Sequence, residues 1–331
     1  MLICGEITIG KLKFTAGTGI EIRKSWRTFT NTAKVALPKA LYYKDETGQV
    51  LPVKHIGDFI KRGDKVEIKL GYNQQLFTEF TGYVAYSPHV AIPYEIECED
   101  EMFILKQKRV SVSLQNATIK EIVQTAAPGY ELDCIDELYG NFSMNETTPV
   151  KIFNKIKEDT GISIFFRDNR LVCGKVYMDE KQDKKFAVYE YGNNIITDTL
   201  QYVKDEDVKL KIFAISRHRN GTVIRTEIGE DGGNVEHWEM PRDLTESQLK
   251  EHLKKRYDRN KRHFGFTGTI TSFGWPRVEH GQVIHLKDKI YEERNGKYFV
   301  NNVEIFVSAY GGYRRTVEIG REYIENALPL N

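Results

Sequence analysis

Gly63-Asp64-Lys65-Val66-Glu67-Ile68-Lys69-Leu70-Gly71-Tyr72 is the stretch that decides the fold class. Val66, Ile68 and Leu70 alternate with Lys65, Glu67 and Lys69, the period of a strand with one face buried and the other wet. Gly63-Asp64 before it and Gly71-Tyr72 after it are turn signals, and Gly82-Tyr83 follows further on. Tyr94-Glu95-Ile96-Glu97-Cys98 alternates in the same way. Several short alternating strands separated by turns predict a closed or nearly closed β-barrel over the first hundred residues, an arrangement that removes unpaired strand edges. The 18 Tyr and 17 Phe favour strands over helices.

The pattern changes after residue 105. Thr118-Ile119-Lys120-Glu121 is a capping box, in which the Thr oxygen takes an amide three residues on and the Glu reaches back. Ile119, Ile122, Val123 and Ala126 then share one helical face, and Pro128-Gly129 stops the helix. A second helix opens with Thr148 as cap and Pro149 in its first turn, carries Ile152, Phe153 and Ile156 as its stripe, and reaches Gly161. Ile162–Phe166 and Leu171–Cys173 read as strands around the turn Asp168-Asn169-Arg170. Residues 106–185 are therefore expected to be a small α/β module set into a mainly β chain, with the charged run Asp179–Lys185 as exit linker.

Beyond it strands return. Asn220-Gly221, Asn295-Gly296 and Gly311-Gly312 mark three hairpins. One long helix interrupts, opened by the capping box Thr245-Glu246-Ser247-Gln248 and expected to run over 246–263 with Leu249, Leu253 and Tyr257 as its seam. Its other faces are basic. Lys250, Lys254, Arg256, Arg259 and Arg262 read as a solvated or subunit-facing surface, or alternatively as a nucleic-acid contact.

At 331 residues the chain has room for two or three domains. Lys plus Arg is 48 against 47 for Asp plus Glu, and the resulting +1 argues against a dedicated nucleic-acid binder. The N-terminal residues show no signal-peptide pattern, and no stretch approaches the ~18 apolar residues of a membrane span. Cys4, Cys98, Cys134 and Cys173 lack C-x-x-C spacing and read as reduced, mostly buried thiols.

No catalytic, cofactor or metal constellation is evident. The eight histidines show no ligand spacing, and His280 and His285 fall on opposite faces of a strand. Gly17-Thr18-Gly19 reads as a turn, lacking what a nucleotide-binding loop requires. Glu97, Glu99, Asp100 and Glu101 cluster, but alternation with Ile96 and Cys98 makes them a half-solvated strand rather than a glycosidase pair. Trp26, Trp238 and Trp275 are far apart in sequence, unlike the clustered tryptophans of a carbohydrate-binding module, which stays an alternative. The chain is read as non-enzymatic and cofactor-free.

The residues resemble a known family. Residues 63–72, Phe80-Thr81-Gly82-Tyr83-Val84 and Tyr94–Asp100 are similar to the first barrel of the phage late control D family of baseplate hubs. Tyr191-Gly192-Asn193-Asn194-Ile195-Ile196 resembles the return strand after the insertion. Gly274-Trp275-Pro276-Arg277-Val278, Gly296–Val300 and Gly311–Arg315 resemble the second barrel. Related domains form the hub part of type VI secretion spike proteins. The resemblance implies two related β-barrels, 1–105 with 186–205 and 206–331 including helix 246–263, joined in a homotrimeric ring around a channel. It further implies a tail tube ring and a separate central spike as partners, other baseplate proteins around it, DNA passing without tight binding, and a place in the virion tail baseplate assembled in bacterial cytoplasm. Residues 112–174 alone also resemble the α/β ring domains of secretins, leaving a secretion-channel ring component as the second alternative.

Overall fold

In a computed structural model, residues 2–14, 19–37, 42–44, 47–52, 59–87, 94–178, 186–240, 244–261 and 264–323 are described. The N-terminal strands are β1 (Ile3–Ile9), β2 (Leu12–Phe14), β3 (Gly19–Ser25), β4 (Thr32–Leu37), β5 (Tyr42–Lys44), β6 (Val50–Pro52), β7 (Lys65–Tyr72), β8 (Gln75–Tyr86) and β9 (Tyr94–Glu99). On β7, Val66, Ile68 and Leu70 are buried and the charged residues between them are not, as the alternation requires. Asn73 and Gln74 both take positive φ (51° and 67°) between the paired Tyr72 and Gln75. That two-residue turn has the hand that matches strand twist. Gly82 is needed where β8 crosses β9, since a Cβ there would lie 2.1 Å from the Glu99 carbonyl oxygen.

The insertion holds α1 (Met102–Gln107), β10 (Val110–Thr118), α2 (Ile119–Ala126), β11 (Leu132–Cys134), β12 (Leu138–Thr147), α3 (Pro149–Thr160), β13 (Ile164–Arg167) and β14 (Arg170–Cys173). Both expected caps form: Thr118 and Glu121 complete a capping box, and Thr148 accepts from Lys151. Each cap contributes about 1 kcal/mol. Gly161 ends α3 in the left-handed region (φ 74°). The apolar faces of α2 and α3 meet β10–β14 in one core containing Ile122, Val123, Phe153 and Phe166. The linker expected at 179–185 lies outside the described residues.

β15 (Ala187–Glu190), β16 (Ile195–Asp198) and β17 (Gln201–Val203) follow, then β18 (Leu210–Arg217), β19 (Val223–Gly229), β20 (Asn234–Glu239) and α4 (Glu246–Asn260). The chain closes with β21 (Gly265–Phe273), β22 (Val283–Lys287), β23 (Gly296–Ser308) and β24 (Gly312–Glu322). The protein is mainly β with an α/β insertion. Three expectations need correction. No sheet closes into a barrel among the described residues: one 14-stranded sheet runs as an open path from β16 to β2. It is continuous because β3 pairs with β23, so both halves share one apolar core. Segment 186–205 joins the C-terminal half rather than the first barrel, with β15 on β22 and β16 and β17 on β21. Helix α4 does not pack in a second barrel. Its seam of Leu249 and Leu253 is buried on the separate sheet β19-β18-β20 with Leu210 and Ile212. The Asn295-Gly296 connection is a longer loop, in which Asn295 bonds both backbone groups of Asp288.

The two halves repeat one another pair by pair. Lys65↔Tyr83, Val66↔Gly82 and Ile68↔Phe80 on β7–β8 correspond to Val283↔Phe299, Ile284↔Tyr298 and Leu286↔Gly296 on β22–β23. Ala33↔Cys98 and Val35↔Ile96 correspond to Gly268↔Ile319 and Ile270↔Val317. Gly19↔Ala36, Ile20↔Val35 and Arg23↔Thr32 correspond to Thr197↔Thr271, Asp198↔Ile270 and Gln201↔Thr267. Even single bonds recur: Gly63 N to Val84 O (2.8 Å) matches Gly281 N to Val300 O (2.7 Å). The halves differ at the outer layer, where β1 is antiparallel to β7 but β15 is parallel to β22.

Candidate assembly interface

The joint between the halves is a dense polar site among the described residues. β3 and β23 pair antiparallel from Ser25↔Asn302 to Gly19↔Ser308. Beside the ladder Lys24 Nζ reaches Glu279 at 2.8 Å, Trp26 Nε1 donates to Asn301 Oδ1 at 3.1 Å, and Arg27 pairs with Glu318. Beneath it Glu79, on β8, has no exposed side-chain surface. Its Oε1 accepts from Arg315 (2.7 Å), Arg277 (2.8 Å) and the Tyr313 hydroxyl (3.1 Å). Arg315, also wholly buried, donates further to the carbonyls of Gly274 and Val278. Burial is the largest single influence and works against its charge, but Glu79, Tyr313, Glu279 and Tyr189 together outweigh it and raise its pKa. The signal missed in the sequence was position: Arg315 occupies an inward place between Tyr313 and Val317, where an alternating strand otherwise carries apolar residues.

The other face of the same strands is polar and crosses both halves without a break. Phe273, Arg314, Phe306, Glu21, Lys34, Glu97 and Tyr86 are successive cross-strand neighbours on seven strands. Neighbouring opposite charges support one another, with Lys34–Glu97 at 3.0 Å and Arg23–Glu21 at 2.5 Å. Over β24, β23, β3, β4 and β9 the face carries six carboxylates (Glu21, Glu95, Glu97, Glu99, Glu304 and Glu318) against three cations (Arg23, Lys34 and Arg314). It is therefore net acidic.

The suspected acidic cluster divides among separate tasks. Glu97 pairs with Lys34, Glu99 with Lys106, and Glu101 accepts from the hydroxyls of Tyr83 and Tyr130. Asp100 is buried and accepts from the amides of Asn31 and Met102; burial pushes its pKa up to about 7 against those two donors. These groups tie β9 to the start of the insertion. His280 is packed edge-on against Phe165 (5.2 Å), while His285 is half-exposed on β22. Among the described residues no three His, Cys, Asp or Glu side chains converge on a metal position, and no helix is long and apolar enough to cross a membrane. The three tryptophans stay apart: Trp26 lies at the joint, Trp238 beneath Arg256, and Trp275 beside Phe77.

The basic helix has an internal role that its charge did not reveal. Arg256 donates to the carbonyls of Glu158 (2.8 Å) and Asp159 (3.0 Å), and Arg259 to that of Thr160 (3.3 Å) and to Glu137. These carbonyls end α3, where orphan acceptors and the negative end of the helix dipole favour cations. Arg256 and Arg259 thus fasten α4 to the insertion of their own chain. Lys250 pairs with Glu246 one turn back and Lys254 is exposed. Arg262 lies outside the described residues.

No family model matches the sequence, and no curated protein matches it. Solved structures do. A tail protein from Neisseria meningitidis superposes with a TM-score of 0.69 at 12% identity, over 97% of this chain and 97% of that one. A 43 kDa prophage tail protein from Shewanella oneidensis gives 0.63 at 13% identity, over 96% and 98%. An Escherichia coli type VI secretion component, described as structurally similar to T4 bacteriophage tail proteins, gives 0.57 at 11% identity, over 96% and 77%. The chain thus shares its fold with these two tail proteins and this type VI secretion component.

Proposed function

We propose that this protein is a structural baseplate hub of a phage-type contractile tail: a homotrimeric ring around a channel, between the tail tube and a separate spike, with other baseplate proteins around it in the virion tail. The observation that carries the reading is the internal repeat. Two halves with one pairing scheme, already joined edge to edge, make each chain a segment of a larger symmetric wall, and three such segments give six equivalent units. The unbroken polar face of β21-β24-β23-β3-β4-β9-β8 suits the channel side. Its carboxylate excess suits passage of DNA, since each fixed cation on a phosphate would strengthen retention. Buried charges that join the two halves to one another, Glu79 with Arg315, fit a mechanical role. Mass measurement in solution with negative-stain imaging tests it: trimers with a central opening are expected, and a strictly monomeric species at high protein concentration overturns the ring.

A further inference from the structure

The repeat shows which edges a second copy would use. By register Gln201, Tyr202 and Val203 of β17 stand where Arg23, Lys24 and Ser25 stand on β3. Tyr86 and Ser87 at the end of β8 stand where Asn302 and Val303 stand on β23, counting from the equivalent Val84 and Val300. Inside the chain these places are paired, Ser25 with Asn302 and Lys24 with Val303. Their counterparts are not: among the described residues β16 and β17 pair only with β21, and β8 beyond Val84 pairs only with β9. Both edges also expose aromatic surface, Tyr202 at 60% and Tyr86 at 58%.

We infer that β17 of one copy adds antiparallel to the end of β8 of the next, with Val203 opposite Tyr86 and Tyr202 opposite Ser87. The partner is a second copy of this chain, and the inference rests on the ring reading above. Open strand edges are ready templates for such addition, with main-chain bonds giving affinity and side chains setting register. The two edges differ, so the contact is head-to-tail and can close a ring, which a self-complementary contact would end at a dimer. The seam between copies also differs chemically from the one within the chain. Where Lys24 meets Glu279 inside, the equivalent places hold Tyr202 and the exposed Lys61, an aromatic–cation pair in place of an ion pair. The inter-copy seam is accordingly expected to resist salt better than an ion-paired one.

The test is cross-linking of the full chain carrying Val203→Cys with Tyr86→Cys. Directly opposed residues fall within the roughly 4.4–6.8 Å Cα separation a disulfide needs. Mild oxidation should give covalent dimers and trimers on a non-reducing gel, absent from either single variant. Val203→Cys with Ser87→Cys is the register control, because a one-residue slip turns the side chain to the opposite face. Tyr86→Glu should lower the trimer fraction at least tenfold while leaving the melting of the dilute monomer unchanged. If rings form but the opposed pair cross-links no better than the slipped pair, the seam is overturned and the ring survives. If no rings form in the wild-type chain, the ring reading falls, and the seam with it.

Discussion

Replacing Glu79 with glutamine should destabilise the protein by about 3 kcal/mol, because it strips the counter-charge from a guanidinium with no access to water. Glu79 and Arg315 both have 0% side-chain exposure and are joined at 2.7 Å. Removing one member of a buried pair costs about 3–5 kcal/mol, most of it the uncompensated charge left behind. Glutamine keeps the volume and one acceptor oxygen for Arg277 or Tyr313, which holds the loss near the lower limit. Urea unfolding followed by tryptophan fluorescence is a suitable assay, since Trp26 lies at the joint and Trp275 two residues from Arg277. The decisive comparison is Glu79→Gln with Arg315→Met. Removing both charges should recover most of the loss, because no charge is then left buried without its counter-charge. A single variant within ~1 kcal/mol of wild type, or a double variant no better than the single, would refute the claim that this pair pins the two halves together.

Other outcomes follow from the same contacts. Burial, then Arg167 and Lys24, pushes the His280 pKa down to about 3. A folded value below the unfolded ~6.5 means stability is full above that pH and is lost as pH falls towards 3, by about 2 kcal/mol at pH 5. His280→Gln should remove this share of the acid sensitivity, measured as the change in melting temperature between pH 7 and pH 5. Arg259→Ala should cost about 1.5–3 kcal/mol for its charged hydrogen bonds and should loosen 210–260 first, seen as faster proteolysis there, whereas Lys254→Ala should change nothing. Anisotropy titration with DNA at about 150 mM salt should show no sub-micromolar binding, and Lys254→Glu should not alter it; tight binding would count against an acidic channel wall.

What could be read from the residues was whatever rests on neighbours in sequence. The Thr118–Glu121 and Thr245–Gln248 boxes involve groups three positions apart, so their helices start where the sequence says. Alternation at 65–70 and 94–98 likewise gave both the strands and their inward faces. Pairing between distant strands was not legible, because a strand with an alternating face can bond to any edge that completes the core. Hence closed barrels were expected where an open sheet runs through β3–β23, a contact between residues more than 270 positions apart. The same holds for charge. Arg256 and Arg259 look like surface cations until α3 brings its carbonyl end to them from about 100 positions away. Glu79 and Arg315 are stable only because each buries the other, across 236 positions. Local elements and their buried faces follow from propensity, capping and periodicity within one segment, and so were legible in the residues. Which edges join, which charges are neutralised, and so which surfaces remain open to a second copy depend on contacts between segments far apart in the chain.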